Sequence, residues 1–219
     1  MLDIQSIVVS LLPILIAITF HEVAHGFVAN KLGDPTARLM GRLTLNPIVH
    51  IDLVGTIIMP IMLFILTDGR FVFGYAKPVP INPMNFKNPK KGMAISASAG
   101  PATNIILAII SQLVLTIFIN PAIGLQLGSF SAAVLRPVQL MFEYSILINI
   151  VLAVINMIPI PPLDGGRVAV GLLPHKQAAA YSKIEPYGFI IVIVLIFSGA
   201  ANIVIYPVIA VIYTLVKFF

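Results

Sequence analysis

From Ile4 to Phe20 the chain has no Asp, Glu, Lys, Arg or His, and the run ends directly in His21-Glu22-Val23-Ala24-His25. No other feature narrows the possible folds so far. These 17 residues, at ~1.5 Å each, make ~25 Å of helix against the ~30 Å hydrocarbon core of a bilayer. The polar cluster therefore falls toward one membrane face, within or beside the apolar layer, where ionisable side chains are costly and mark function by default. The first ten residues, MLDIQSIVVS, lack the basic start of a secretory signal, and no small-residue cleavage site precedes His21. The first helix is expected to stay in the mature protein.

Composition agrees with a chain built for lipid. Of 219 residues 59% are hydrophobic and only 10% charged, against about 25% charged in soluble domains. One compact membrane domain over residues 1–219 is expected, with no room for a second globular unit. The net charge of +5 reads as loop charge that sets orientation, and nucleic acid is not an expected partner. With no cysteine, disulfides and thiolate ligands are excluded, so any metal must be held by His, Asp or Glu.

Long apolar segments run at about 4–30, 51–67, 93–120, 133–158 and 187–219. Lys31, Arg38 and Arg42 lie between the first two; Arg70, Lys77, Lys87, Lys90 and Lys91 lie between the second and third; Arg167, Lys176 and Lys183 follow the fourth. The 121–132 connection has no Lys or Arg. If every segment crossed once, one early basic loop would lie outside, against the positive-inside bias. A re-entrant 51–67 puts all three basic loops in the cytoplasm, and Gly55 and Pro60 suit a broken hairpin; a straight spanning helix is the alternative. The expected fold class is an all-α polytopic helix bundle with a re-entrant segment and a small β-hairpin or edge strand. Whether 187–219 is one helix or two stays open.

His21 and His25 stand at i and i+4 on one helix face, where two imidazoles can hold one ion, and Glu22 can reach a water on that ion as general base. A solvated polar face is the ordinary explanation of such a motif, and the wholly apolar preceding turns leave it little room. A catalytic zinc site takes a third protein ligand. His50 and His175 read better as plain loop histidines, and Glu143 sits two turns in from the wrong end of the fourth segment. In NMIPIPPLDGGR, 156–167, Pro159, Pro161 and Pro162 end the helix while Gly165 and Gly166 permit tight backbone turns. Asp164 arrives there at the face and depth of His21, although the same stretch could be an ordinary surface turn.

Together the motifs resemble the site-2 protease (M50) family of intramembrane zinc metalloproteases, in a small bacterial form. The family's H-E-x-x-H stands as His21, Glu22 and His25, its N-x-x-P-x-P-x-x-D-G-G as Asn156, Pro159, Pro161, Asp164, Gly165 and Gly166, and AGPATN, 99–104, is similar to the glycine-containing helix start between them. The resemblance covers nearly the whole chain. It implies Zn2+ held by His21, His25 and Asp164, with Glu22 activating water and Asn156 binding substrate or stabilising the oxyanion. It also implies a multi-pass protein of the bacterial cell (cytoplasmic) membrane, with its active site toward the cytoplasm and a transmembrane protein as substrate. A PDZ domain does not fit the 121–132 loop and no CBS domain is expected, so substrate choice falls to the membrane core or a partner.

A transmembrane substrate hides its peptide bonds in helical hydrogen bonds and must be unwound. An exposed strand edge could receive it by main-chain pairing, and 69–82 is the candidate, with Phe71, Phe73 and Tyr75 alternating and Pro78 and Pro80 suited to an edge. Phe73, Tyr75 and Asn104 are the expected substrate contacts; a surface hairpin without substrate is the alternative. A metal- or proton-coupled transporter could use broken helices, but does not need a Glu beside the first His. A haem protein would place its histidines on separate helices.

Overall fold

The computed structural model describes residues 4–67, 74–120 and 128–219. Helix α1 spans Ile4–Lys31. It ends where Gly33 takes φ 111° and Asp34 N returns to Ala29 O at 2.9 Å, the helix closure that a left-handed glycine permits. Asp34, fully buried, then ties this corner together. Its Oδ1 accepts from Thr36 N (3.1 Å) and Asn85 Nδ2 (2.7 Å), and its Oδ2 from Asn82 N (2.7 Å). Burial pushes the Asp34 carboxyl up, but the hydrogen bonds from Thr36, Asn85 and Asn82 outweigh it and hold the pKa below the ordinary carboxylate value.

Short helix α2, Thr36–Leu39, follows. Asp52 then caps a π-turn, Leu53–Ile58, by accepting from Val54 N and Gly55 N, and the turn runs into α3, Met59–Leu66. Together Leu53–Leu66 is an apolar helix shorter than a full span. Helix α4 is Pro89–Val114, capped by Asn88 and prolonged by a π-turn to Ile119; its start lies four residues ahead of the apolar segment because Asn88 accepts from Lys91 N and Pro89 suits the first helical position. Helix α5, Gly128–Asn156, stops at the proline-rich break. Beyond it come α6, Asp164–Leu172, and α7, His175–Ser182. The last apolar segment is two helices, α8 (Gly188–Phe197) and α9 (Ala200–Lys217), because Gly199 at φ 79° turns the chain between them.

Among the described residues four stretches are long and apolar enough to cross a membrane: Val9–Lys31, Pro89–Ile119, Ala133–Asn156 and His175–Leu195. The chain is a polytopic helical membrane protein. Leu115, Ile146, Ile150 and Val216 form a core between α4, α5 and α9, and many large apolar side chains, among them Ile106, Ile110 and Ile117 of α4, face outward, as lipid-facing surfaces require.

The expected strand is not formed among the described residues; Phe71 and Phe73 lie outside them. From Gly74 to Asn82 the chain has no regular secondary structure, yet the N–H groups of Tyr75, Lys77 and Val79 are all engaged. They bond to Gly55 O (3.0 Å), His50 O (2.9 Å) and Glu22 Oε2 (2.9 Å). The acceptors are a π-turn carbonyl, the last carbonyl of the 3-10 turn Pro47–His50 and a carboxylate, so these N–H groups make no strand ladder, and Pro78 and Pro80 have no N–H to offer on the other side. This segment is a strap across the end of α1.

Candidate active site

Three helices build the site. Along α4, Ser96, Gly100 and Asn104 repeat at i, i+4 and i+8 and so face α1 in one line. Small residues here let the helices close up: a Cβ on Gly100 would sit 2.6 Å from His25 Cε1 and 2.7 Å from His21 Cε1. His25 Nδ1 meets Ser96 O at 2.8 Å, and Ser96 Oγ donates back to His25 O at 3.0 Å. His21 Nδ1 meets Asn104 Oδ1 at 2.5 Å. Both partners are acceptors, so both imidazoles carry their hydrogen on Nδ1 and turn an Nε2 lone pair inward.

Asp164 closes the group from the first turn of α6. The break before it is packed so tightly that a Cβ on Gly165 would sit 2.6 Å from Ile158 O, and one on Gly166 2.6 Å from Pro161 Cα. Only glycine fits at either position, and Tyr181 Oη donates to Pro159 O on the same turn. Asp164 Oδ2 thereby comes within 3.1 Å of His21 Nε2 and 3.2 Å of His25 Nε2. The two Nε2 atoms are 3.0 Å apart.

His21, His25 and Asp164 are all buried, at 6–7% exposure, and are the group that could hold a metal ion. Asp164 Oδ2 has no hydrogen-bond donor. Three acceptor atoms converging in a dry site repel one another unless a cation lies between them. Ligands ~2.0 Å from one ion at tetrahedral angles are ~3.3 Å apart, close to the spacing observed. The donor set, two imidazoles and a carboxylate, suits a catalytic zinc, which takes three protein ligands and water as the fourth.

Glu22, next to His21, gives Oε2 to Val79 N at 2.9 Å. The strap approaches this closely because position 26, one turn on, is glycine: a Cβ there would meet Val79 Cγ1 at 2.7 Å. Arg42 holds the strap from the other side through Lys77 O at 2.8 Å. Among the described residues no donor faces Glu22 Oε1, which leaves that oxygen for a proton.

The remaining sequence expectations fall as follows. Asn156, the last residue of α5, donates from Nδ2 to Leu152 O at 3.0 Å. Asn104 is fully buried, with its amide on His21, Ala17 and Asn149. The Tyr75 ring packs toward Phe189, with centroids 6.0 Å apart, and Phe73 lies outside the described residues. His50, buried, bonds Thr44 O, and His175 is exposed; neither belongs to the metal group. Sequence reasoning missed Ser96, Val79 and Asn149, and gave Gly100, the glycine of AGPATN, no part in the metal site. A polar residue buried in an apolar helix was a visible mark for Asn149, and the i, i+4, i+8 line ending at Asn104 was one for Ser96 and Gly100.

The family model described as Peptidase family M50 matches residues 9–199. The chain belongs to Peptidase family M50. It is 39% identical to "Putative zinc metalloprotease YwhC" of Bacillus subtilis over 197 residues, 90% of this chain and 83% of that protein. It is 28% identical to "Putative zinc metalloprotease Rip2" of Mycolicibacterium smegmatis over 189 residues, 86% of this chain and 66% of that protein. No solved structure matches significantly.

Proposed function

We propose that this M50 peptidase is an intramembrane zinc metalloprotease of the site-2 type, hydrolysing peptide bonds in or near transmembrane segments of membrane proteins. The observation that carries it is the convergence of three buried acceptor atoms, His21 Nε2, His25 Nε2 and Asp164 Oδ2, beside Glu22 within a helix long and apolar enough to cross a membrane. No feature of the site favours transport.

His21, His25 and Asp164 would hold a zinc ion, which when bound would supply a water of pKa ~7 and polarise a carbonyl. The protein's own residues do the rest. Glu22 Oε1 takes the proton from the attacking water and returns it to the leaving amine, while the Val79 N–H fixes the other oxygen and thus the direction of the carboxylate. Nδ1 hydrogen bonds to Asn104 and Ser96 hold both imidazoles in the ligating tautomer. Asn156, at the end of α5, serves substrate binding or the oxyanion, and substrate binding is assigned to Phe73 and Tyr75 as well. The test is cleavage of a single-pass membrane substrate in proteoliposomes. Activity should vanish with a zinc chelator and return with zinc; cleavage indifferent to chelation would reject a metalloprotease.

The 1–219 chain is one membrane domain of the bacterial cell membrane, with Leu53–Leu66 as a re-entrant element and the site toward the cytoplasm. Support comes from Tyr75 N on Gly55 O and Lys77 N on His50 O, which bring the chain after α3 back beside the residues before it. Basic residues from Lys31 to Lys91 then share one side. Single cysteines at Arg38 and Lys87 should resist an impermeant thiol reagent added outside, whereas one at Gln126 should react. Outside labelling at position 87 would reject the re-entrant path and the inward orientation of the strap.

A further inference from the structure

A buried polar chain runs from the metal group into the middle of the bundle. His21 Nδ1 meets Asn104 Oδ1 at 2.5 Å; Asn104 Nδ2 donates to Asn149 Oδ1 at 2.7 Å and to Ala17 O at 3.2 Å; Asn149 Nδ2 donates to Ser145 O at 2.8 Å. Asn104 and Asn149 are both fully buried, so water cannot replace any of these partners. An Asn amide has one face that accepts and one that donates, and nothing intrinsic chooses between them.

Here the choice is made by two acceptors: Ala17 O, a backbone carbonyl that faces Asn104 Nδ2 at 3.2 Å, and the closer Asn149 Oδ1 at 2.7 Å, itself oriented from the far end. Ser145 O is a backbone carbonyl and can only accept, so Asn149 must present Nδ2 to it and turn Oδ1 toward Asn104. That oxygen then demands Nδ2 from Asn104, which leaves Asn104 Oδ1 facing His21. A flipped Asn104 would set its oxygen against Asn149 Oδ1 and Ala17 O, and its NH2 against His21. The imidazole would then carry its hydrogen on Nε2, in the place of the metal. His25 needs no such relay, because Ser96 O accepts from it directly at 2.8 Å.

We propose that Asn149 is a positioning residue of the metal site, which, with the Ala17 carbonyl, holds the amide orientation of Asn104 and through it the ligating tautomer of His21. This rests on the reading of His21, His25 and Asp164 as zinc ligands. Asn149 has no bond to the metal group; its effect passes wholly through Asn104.

The test is zinc affinity of the purified full chain, by chelator competition, for wild type, Asn149→Leu, Asn104→Asp and the double variant. Loss of a direct partner of a metal-ligating histidine weakens binding ~10–100-fold; Asn149 is one bond further out and Ala17 O still accepts from Asn104, so the lower end, ~10-fold, is expected for Asn149→Leu. A carboxylate at position 104 offers oxygen whichever way it turns, so Asn149→Leu should cost under ~3-fold when added to Asn104→Asp. Equal losses in both backgrounds would mark a packing role and overturn the proposal, as would unchanged affinity in Asn149→Leu. Should Asn104→Asp not fold, Asn149→Asp replaces it. That variant keeps an oxygen on Asn104 Nδ2 and should hold zinc far better than Asn149→Leu; equal losses overturn the proposal. A wild-type chain without zinc affinity would overturn the zinc reading and this proposal together, whereas zinc held equally by wild type and Asn149→Leu overturns only the proposal.

Discussion

Glu22→Gln is expected to keep zinc and to lose peptide hydrolysis by about 10²–10⁴-fold, the span that general acid-base groups supply. The two effects separate because Glu22 is outside the three-atom metal group. A glutamine still has an amide oxygen for Val79 N, so the strap stays where Glu22 holds it at 2.9 Å. What disappears is an oxygen able to take a proton. Side-by-side zinc analysis and cleavage of a single-pass substrate check both halves. Full cleavage by Glu22→Gln would remove Glu22 from the mechanism, and loss of zinc would make it structural.

Gly100→Ala is expected to damage the metal site from the opposite helix. The new Cβ would stand 2.6 Å from His25 Cε1 and 2.7 Å from His21 Cε1, in contact with His25 Nε2 as well. Neither ring can swing away while Asn104 and Ser96 hold the Nδ1 atoms, so the strain falls on the ligand geometry. Overpacking of this kind costs ~1–3 kcal/mol, which, taken wholly from metal affinity, is roughly 5- to 150-fold. Chelator competition measures it, with circular dichroism to show that the helices persist. Unchanged zinc affinity would mean that α1 and α4 can separate freely, against the close packing described.

Much of this site was legible because its chemistry is local. His21, Glu22 and His25 declare themselves by helical spacing after a wholly apolar run, and Asp164 by its place after a proline break that ends a helix at matching depth. Pairings distant in sequence leave no such mark. Val79 reaches Glu22 across 57 positions, and only the close approach at Gly26 hints at it. Among the described residues the expected strand is not formed, because alternation says nothing of partners: the acceptors that meet Tyr75, Lys77 and Val79 belong to a π-turn, a 3-10 turn and a side chain. Gly199 splits the last apolar segment by a left-handed backbone that a lone glycine in such a run does not announce. Asn149 is different in kind, since an amide in the apolar stretch ILINIVLAVIN was in plain view and its partner, Asn104, was not.

The central claim is that His21, His25 and Asp164 hold one zinc ion. Metal analysis of the purified chain in detergent tests it most directly. About one zinc per chain is expected for the wild type, falling to a small fraction in His21→Ala and Asp164→Ala, each of which leaves fewer than the three protein ligands a catalytic zinc site takes. Full zinc occupancy in both variants, or a proteolytically active wild type free of zinc, would contradict it.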